Sequence, residues 1–298
     1  MKIKEILKFL TDSKTAYRFD GDSECNVDGF CQLSNPSSFK ITWAKSFVDE
    51  ETIDRLDKTN LLVISSSANC FANKCNYLFV EKPKNTFFAI LNHFFSDSTT
   101  IGISNNSTVL SQNIGKNVSI GPNCFVDKNV VIGDDVVISS NVVLVNNVKI
   151  GNRVSIQSMS AIGEDGFGYY EDDVGAKTMI KHHGGVVIED DVFISSHVNI
   201  ARGTMGDTVI HSGTKIAPNT HIGHNCVIGR NVTIICSEIF GSVTIDDNSY
   251  ISKSVIKNQL KIGKDVIVGM GSVVLKDVPD NVVVVGVPAK FLRNNKEE

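Results

Sequence analysis

Ile114-Gly115-Lys116-Asn117-Val118-Ser119-Ile120-Gly121-Pro122-Asn123-Cys124-Phe125-Val126-Asp127-Lys128-Asn129-Val130-Val131-Ile132-Gly133 decides the fold. An aliphatic residue returns every six positions, at Ile114, Ile120, Val126 and Ile132, and continues through Ile138, Leu144, Ile150, Ile156 and Ile162. The period resumes at Ile188, Ile194 and Ile200, again from Ile210 through Ile216, Ile222, Ile228 and Ile234, and last at Ile262, Val268 and Val274. Glycine often follows the aliphatic residue, as at Gly115, Gly121, Gly133, Gly151, Gly163, Gly223, Gly229, Gly263 and Gly269. A six-residue unit is a short strand and a turn. The aliphatic side chain points inward, and the small residue beside it is expected to permit the turn. Three units close one triangular coil, and coils stack at the parallel-strand spacing of roughly 4.8 Å. No coil is stable alone; stacking buries the aliphatic ladders. The predicted fold is mainly β, a parallel β-helix. A β-sandwich has no reason to hold a six-residue phase through nine units.

Working outward, residues 1–98 lack the period. Ile3, Ile6, Leu7 and Leu10 fall at helical spacing. Leu61-Leu62-Val63-Ile64 and Tyr77-Leu78-Phe79-Val80 read as buried strands, and Phe87 to Phe95 as a second helix. This alternation implies a small separate α/β domain. The expected division is 1–98 for that domain, 99–287 for the β-helix and 288–298 for a tail, with the polar stretch Ser96 to Asn106 as the junction.

A net charge of -4 gives no reason to expect nucleic acid as a partner. No apolar run approaches the length of a membrane span. Met1-Lys2-Ile3-Lys4-Glu5-Ile6 lacks the apolar stretch of a signal peptide, so a cytoplasmic location is expected. The seven cysteines are scattered, with no Cys-x-x-Cys pair, and read as free thiols.

Two interruptions break the period. Ile188 follows Ile162 by 26 positions, two more than four repeats, and the stretch between contains Glu164-Asp165-Gly166-Phe167-Gly168-Tyr169-Tyr170 and Lys181-His182-His183-Gly184-Gly185. Insertions in a solenoid leave the stack as loops and often carry the site. The aromatic-glycine run suits a loop over a sugar or an acyl chain. At Arg202-Gly203-Thr204-Met205-Gly206-Asp207, ten residues replace six, and a tight bulging turn is expected. Histidine is the obvious general base near neutral pH. In Ile222-Gly223-His224-Asn225 the histidine sits on the turn side and projects outward, towards a neighbouring subunit if the β-helix trimerises. An amine attacking a thioester needs a base for its proton and an N–H for the oxyanion.

Asp165-Gly166-Phe167-Gly168-Tyr169, the stretch Gly185 to Asp191, Arg202-Gly203 with Gly206-Asp207-Thr208, and His224-Asn225 occur in that order. Together they resemble the UDP-3-O-acylglucosamine N-acyltransferases of lipid A synthesis, over roughly residues 1–275 and most strongly from 162 to 230. The resemblance implies a left-handed β-helix, a homotrimer, and an N-terminal uridine-binding domain. It implies transfer of an acyl chain to the amine of a nucleotide-linked sugar, with acyl carrier protein as donor and no permanently bound cofactor. By it, His224 is the general base and Gly241 supplies the oxyanion N–H, with spacing one residue shorter than in the family. Asp165, Phe167, Tyr169, His183 and Asn225 are candidate substrate contacts, and Trp43 and Phe47 candidate stacking partners for the base. Ala217 replaces a family aspartate seven residues before the histidine, Ala201 replaces another before Arg202-Gly203, and Gln259 aligns with a second family histidine. The ending Gly286-Val287-Pro288-Ala289-Lys290 resembles instead coenzyme A-dependent hexapeptide acetyltransferases, which makes Lys290 and Arg293 candidate donor contacts and acyl-CoA an alternative donor. These departures favour a paralogue acylating an amino sugar on a nucleotide carrier for surface polysaccharide.

Other readings share the fold. One is a zinc enzyme, as in γ-type carbonic anhydrases, but His221 and His224 stand roughly 10 Å apart in extended chain, too far for one metal within a chain. The others are a non-catalytic sugar-binding β-helix and an O-acetyltransferase.

Overall fold

The computed structural model describes residues 1–44, 56, 60–66, 75–96 and 101–295. Contacts divide the chain into two compact units, Met1–Ser98 and Thr99–Glu298.

In the first unit, helix α1 (Ile3–Asp12) turns Ile3, Ile6 and Leu10 inward, as their spacing predicts. Five strands follow: β1 (Arg18–Asp20), β2 (Gly29–Phe30), β3 (Lys40–Trp43), β4 (Leu62–Ser65) and β5 (Asn76–Phe79), in the order β1-β5-β4-β3-β2. The pairings from β2 to β5 are parallel; β1 is antiparallel. Both predicted strands are present, each shifted by a residue or less, and both are buried throughout. Alternate side chains go to opposite faces. Leu62, Ile64 and Leu78 join α1 and helix α2 (Pro83–Phe94) on one side, while Leu61, Val63 and Tyr77 form a second cluster on the other. Burial on both faces is why these strands read as unbroken apolar runs. Helix α2 starts four residues before its predicted position, at Pro83, where a missing N–H costs nothing.

The second unit is a parallel β-solenoid of hexapeptide repeats. Its strands form three sheets, one per face. On the first, Ile120, Ile138, Ile156, Ile194, Ile216, Ile234 and Ile251 stack in register. Val126, Leu144, Ile162, Ile200, Ile222, Ile239 and Ile256 stack on the second. Ile114, Ile132, Ile150, Ile188, Ile210, Ile228, Ile245 and Ile262 stack on the third. All but Ile114 are buried and belong to one core. Burying such a side chain stabilises by about 1.5–3 kcal/mol. The ladder also runs unbroken through Ile239, Ile245, Ile251 and Ile256, where the sequence period lapses. Two coils there are one residue short: Ile222 pairs with Ile239 and Ile239 with Ile256, 17 positions apart rather than 18.

The turns differ from expectation. The residues at positive φ are mostly Asn and Asp, at Asn117, Asn123, Asp135, Asn141, Asn219, Asn225 and Asn231, whose short polar side chains tolerate the left-handed region. The glycine after the ladder residue serves a close approach instead. A Cβ on Gly133 would stand 2.6 Å from the Gly151 carbonyl oxygen, and one on Gly223 2.6 Å from the Gly241 nitrogen. At the corner from the third face to the first, side chains tie coils together. Asp134 accepts from the Lys116 N–H at 2.7 Å, Asn152 from Asp134 at 2.9 Å and Asp190 from Asn152 at 2.8 Å.

The segment expected as a tail forms, through Asn294, a strand (Lys290–Asn294) antiparallel to Val282–Val285. It therefore covers the exposed edge of the first sheet. No helix among the described residues is long and apolar enough to cross a membrane.

Among the cysteines within the described residues, Cys25, Cys31, Cys124, Cys226 and Cys236 are free thiols, as the sequence suggests. They differ in reactivity. Burial pushes the Cys226 thiol up to about 11, and its Sγ donates to the Phe240 carbonyl at 3.1 Å. Cys236 is exposed. Iodoacetamide at pH 8, read by peptide mass mapping, is expected to label Cys236 and spare Cys226 until the protein is denatured. Equal labelling of both would show that this coil opens readily.

Candidate active site

Both interruptions leave the solenoid at one corner, between the second and third faces. Ile150 pairs with Ile188, 38 positions on, where an ordinary coil takes 18, so twenty residues leave the stack. They contain no further repeats. Instead they make an exposed antiparallel ribbon, Tyr169–Glu171 against Lys177–Met179. Ile188 pairs with Ile210, 22 positions on, so four residues leave in the next coil. The two excursions lock together. The Gly184 N–H donates to the Gly203 carbonyl at 3.0 Å, the His183 N–H to the Thr204 carbonyl at 2.7 Å, and Arg202 Nε to the Gly184 carbonyl at 2.8 Å. A Cβ on either Gly184 or Gly203 would collide with the Gly206 carbonyl, which explains the glycines.

One coil further, at the same corner, stands His224. Its Nδ1 lies 3.0 Å from Asn225 Oδ1. The orientation of that amide is set by the backbone. The Thr204 N–H, which can only donate, reaches Oδ1 at 3.0 Å, and Nδ2 donates to the Gly206 carbonyl at 3.3 Å. An oxygen therefore faces His224, so Nδ1 carries the hydrogen and the neutral ring presents an unprotonated Nε2. Asn225 thus orients the base. Ala217 sits on the preceding corner, separated from His224 by a whole face, on the order of 15 Å of chain. A carboxylate there would not orient the imidazole of its own chain.

The ring of His182 packs edge-to-face against His224, centroids 5.1 Å apart at 73°. His182 is 1% exposed. Its Nδ1 lies 3.0 Å from the Ile180 carbonyl and so carries the hydrogen, while Nε2 is buried with no partner among the described residues. Leaving such an atom unpaired costs about 1–3 kcal/mol. Gly166 caps both rings: a Cβ there would stand 2.8 Å from His224 Cδ2 and 2.9 Å from His182 Nε2.

Above His224, a Cβ on Gly241 would stand 2.6 Å from its Nε2. The Gly241 N–H donates no hydrogen bond within the described residues, unlike the paired N–H groups of the third-to-first corner. A cavity of about 410 Å³ opens here, lined by Gly166, Phe167, His221, His224, Phe240 and Gln259 among others. Burial holds the His221 imidazole below its ordinary value, against the pull of Glu238. His221 Nδ1 meets Asn199 Oδ1 at 3.0 Å.

The fold thus gathers His224, Asn225, Gly241 and Phe167 at this corner. Asp165 lies beside it, 3.8 Å from Arg202 Nε, with Oδ2 accepting the His182 N–H at 3.4 Å. Tyr169 begins the ribbon, 6.1 Å from the Phe167 ring with Lys177 over its own face. His183 is exposed and does not line the cavity; its neighbour His182 meets the base instead. Sequence reading missed His182 because nothing local distinguishes the two. Lys290 and Arg293 lie exposed on the last strand, outside the cavity. Trp43, on β3, lines an apolar cavity of about 760 Å³ in the first unit with Phe30, Leu33, Phe87 and Phe88. Phe47 lies outside the described residues. No three His, Cys, Asp or Glu side chains cluster as a metal site among the described residues.

The solenoid's repeats match the family model "Bacterial transferase hexapeptide (six repeats)" over residues 113–146 and 129–164, and residues 204–295 match "GMPPB C-terminal domain". This is a hexapeptide-repeat β-solenoid. Curated homologues named UDP-3-O-acylglucosamine N-acyltransferase match part of the chain. The one from Methylobacterium nodulans is 37% identical over 140 residues, 46% of this chain and 40% of the relative. That from Rhodopseudomonas palustris is 41% identical over 136 residues, 45% of this chain and 36% of the relative. The matched stretches span about two fifths of these relatives' length, well short of the resemblance expected over roughly residues 1–275. Among solved structures, a UDP-N-acetylglucosamine acyltransferase from Bacteroides fragilis superposes with a TM-score of 0.58 at 26% identity, covering 65% of this chain and 75% of that one. The corresponding Acinetobacter baumannii protein gives 0.55 at 28% identity, covering 67% and 74%.

Proposed function

We propose that this protein is an N-acyltransferase that moves an acyl group from a thioester to the amine of a nucleotide-linked amino sugar. The observation carrying this is Nε2 of His224, its tautomer fixed by Asn225, beside the Gly241 N–H, which is unpaired among the described residues, in one cavity. The names of the homologues support the same class of reaction.

The amine nitrogen attacks the thioester carbonyl carbon while its proton passes to His224 Nε2. The carbonyl oxygen gains negative charge, and the Gly241 N–H stabilises it. The C–S bond then breaks, the amide forms, and the thiol leaves with the proton held by His224. The donor is acyl-CoA or an acyl carrier protein, either of which presents a thioester on a phosphopantetheine arm. Phe167 covers the reacting groups. The apolar cavity beside Trp43 takes the nucleobase, and subunits associate as a homotrimer around the outward-facing corner.

The test is a mass-spectrometric assay. UDP- and dTDP-linked amino sugars and their hydroxyl analogues are each offered acetyl-CoA, hydroxyacyl-CoA and hydroxyacyl carrier protein. An amide product one acyl group heavier is expected. An ester product instead would mark an O-acyltransferase, since the same base activates a hydroxyl. Binding without any product would mark a sugar-binding protein.

Trp43→Ala is expected to weaken nucleotide-sugar affinity about tenfold or more while leaving turnover at saturation nearly unchanged. Calorimetric titration measures the first and the assay the second. Unchanged affinity would give the first unit another role.

A further inference from the structure

We propose that His182 is a positioning residue that acts through His224, its unpaired Nε2 stabilising the charge His224 acquires when it takes the substrate proton. The proposal rests on the acyl-transfer reading above. Its starting point is an anomaly of packing. The His182 ring is buried, anchored by Nδ1–H to the Ile180 carbonyl and packed edge-to-face on His224. A phenyl ring would fill the same space and bury no unpaired nitrogen. Histidine here costs stability, and such sites persist where the group serves another purpose.

Geometry identifies the beneficiary. Nε2 of His182 and Cδ2 of His224 both lie within 3 Å of the point where a Gly166 side chain would begin, at 2.9 and 2.8 Å. With Nδ1 protonated, Nε2 carries an in-plane lone pair. In the resting protein that lone pair has no donor among the described residues. When His224 accepts a proton, its ring C–H edges become strongly positive, and the buried lone pair meets an adjacent cation in a medium with little screening. The stabilisation thus belongs to the step in which His224 is charged, not to substrate binding.

The other charged or titratable groups around His224 are few. His221 lies on the strand leading into the same corner, with Glu238 paired opposite it. Asp165 and Arg202 lie together in the excursions below. The two coils above present the neutral Phe240, Gly241 and Ser242, then Asn258 and Gln259. None of these changes when His182 is replaced.

His182→Phe keeps the ring contact and removes the lone pair. We expect kcat to fall about tenfold, with KM for both substrates within twofold of wild type and no loss in melting temperature. His182→Gln, which can place an amide oxygen near the Nε2 position, recovers at least a third of the rate. Independently of activity, the imidazolium fraction of His224 at pH 6, read from its ring carbon-13 shifts, falls several-fold in His182→Phe. Wild-type kcat in His182→Phe, equal imidazolium fractions, or a loss confined to KM and melting temperature would each overturn the proposal. If the wild-type protein transfers no acyl group but the NMR difference stands, the acyl-transfer reading fails and the His182–His224 coupling survives.

Discussion

Replacing His224 with alanine is expected to lower turnover by about 10²–10⁴, the usual loss when a positioned general base is removed. The fold should survive. His224 is half-buried at a corner, outside the ladders, and the side chain beside it that holds the second excursion is Asn225. The residual rate reflects proximity and the Gly241 N–H, which the substitution leaves in place. The measurement is steady-state turnover together with a melting curve. Loss of turnover with an unchanged melting temperature assigns the role to the imidazole. Unchanged turnover would remove His224 from the mechanism, and the acyl-transfer scheme with it, because among the described residues the three atoms nearest a Cβ on Gly241 all belong to the His224 ring.

A second large effect is expected in the core. Ile216 is 0% exposed and sits between Ile194 and Ile234 on the first face. Ile216→Val should cost about 0.5–1.5 kcal/mol, and Ile216→Ala about 2–5 kcal/mol, because the rungs above and below are held by their own backbone ladders and cannot close the gap. Ile216→Asp adds the burial of a carboxylate without a partner, and the sum approaches the roughly 5–15 kcal/mol by which domains are stable at all. It should yield no folded protein. Urea denaturation followed by circular dichroism checks the series. A mild effect of Asp at this rung would mean that the coil opens locally and that the solenoid does not unfold as one unit.

Much of the fold is legible in the chain itself, for a reason particular to solenoids. The partner of every ladder residue is another copy of the same short pattern, so the six-residue period encodes both the strand and what it packs on. The lapse after Ile234 shows the limit. Two coils of 17 residues shift the phase, and only strand pairing shows that Ile239, Ile245, Ile251 and Ile256 carry the ladders on. The same shortening places Gly241 17 positions after His224 and still directly against it. The turn chemistry was misassigned for a similar reason. Glycine is needed where the next coil's backbone passes close, and that contact is not local in sequence.

The candidate site was half legible. His224 and Asn225 lie within a repeat, and the length of each interruption marks where the solenoid is broken. The sequence by itself determined the coils, their ladders as far as Ile234 and the positions of the excursions, because these follow from a short-range alternation of apolar and turn residues. Only the tertiary structure decided that Asn225, held by Thr204 and Gly206, presents oxygen to His224 and fixes its tautomer. It alone put His182, rather than His183, against the base from 42 positions away. The physical reason is that a hydrogen-bond direction and a ring contact depend on how two irregular excursions pack on each other. No period in the sequence records that packing.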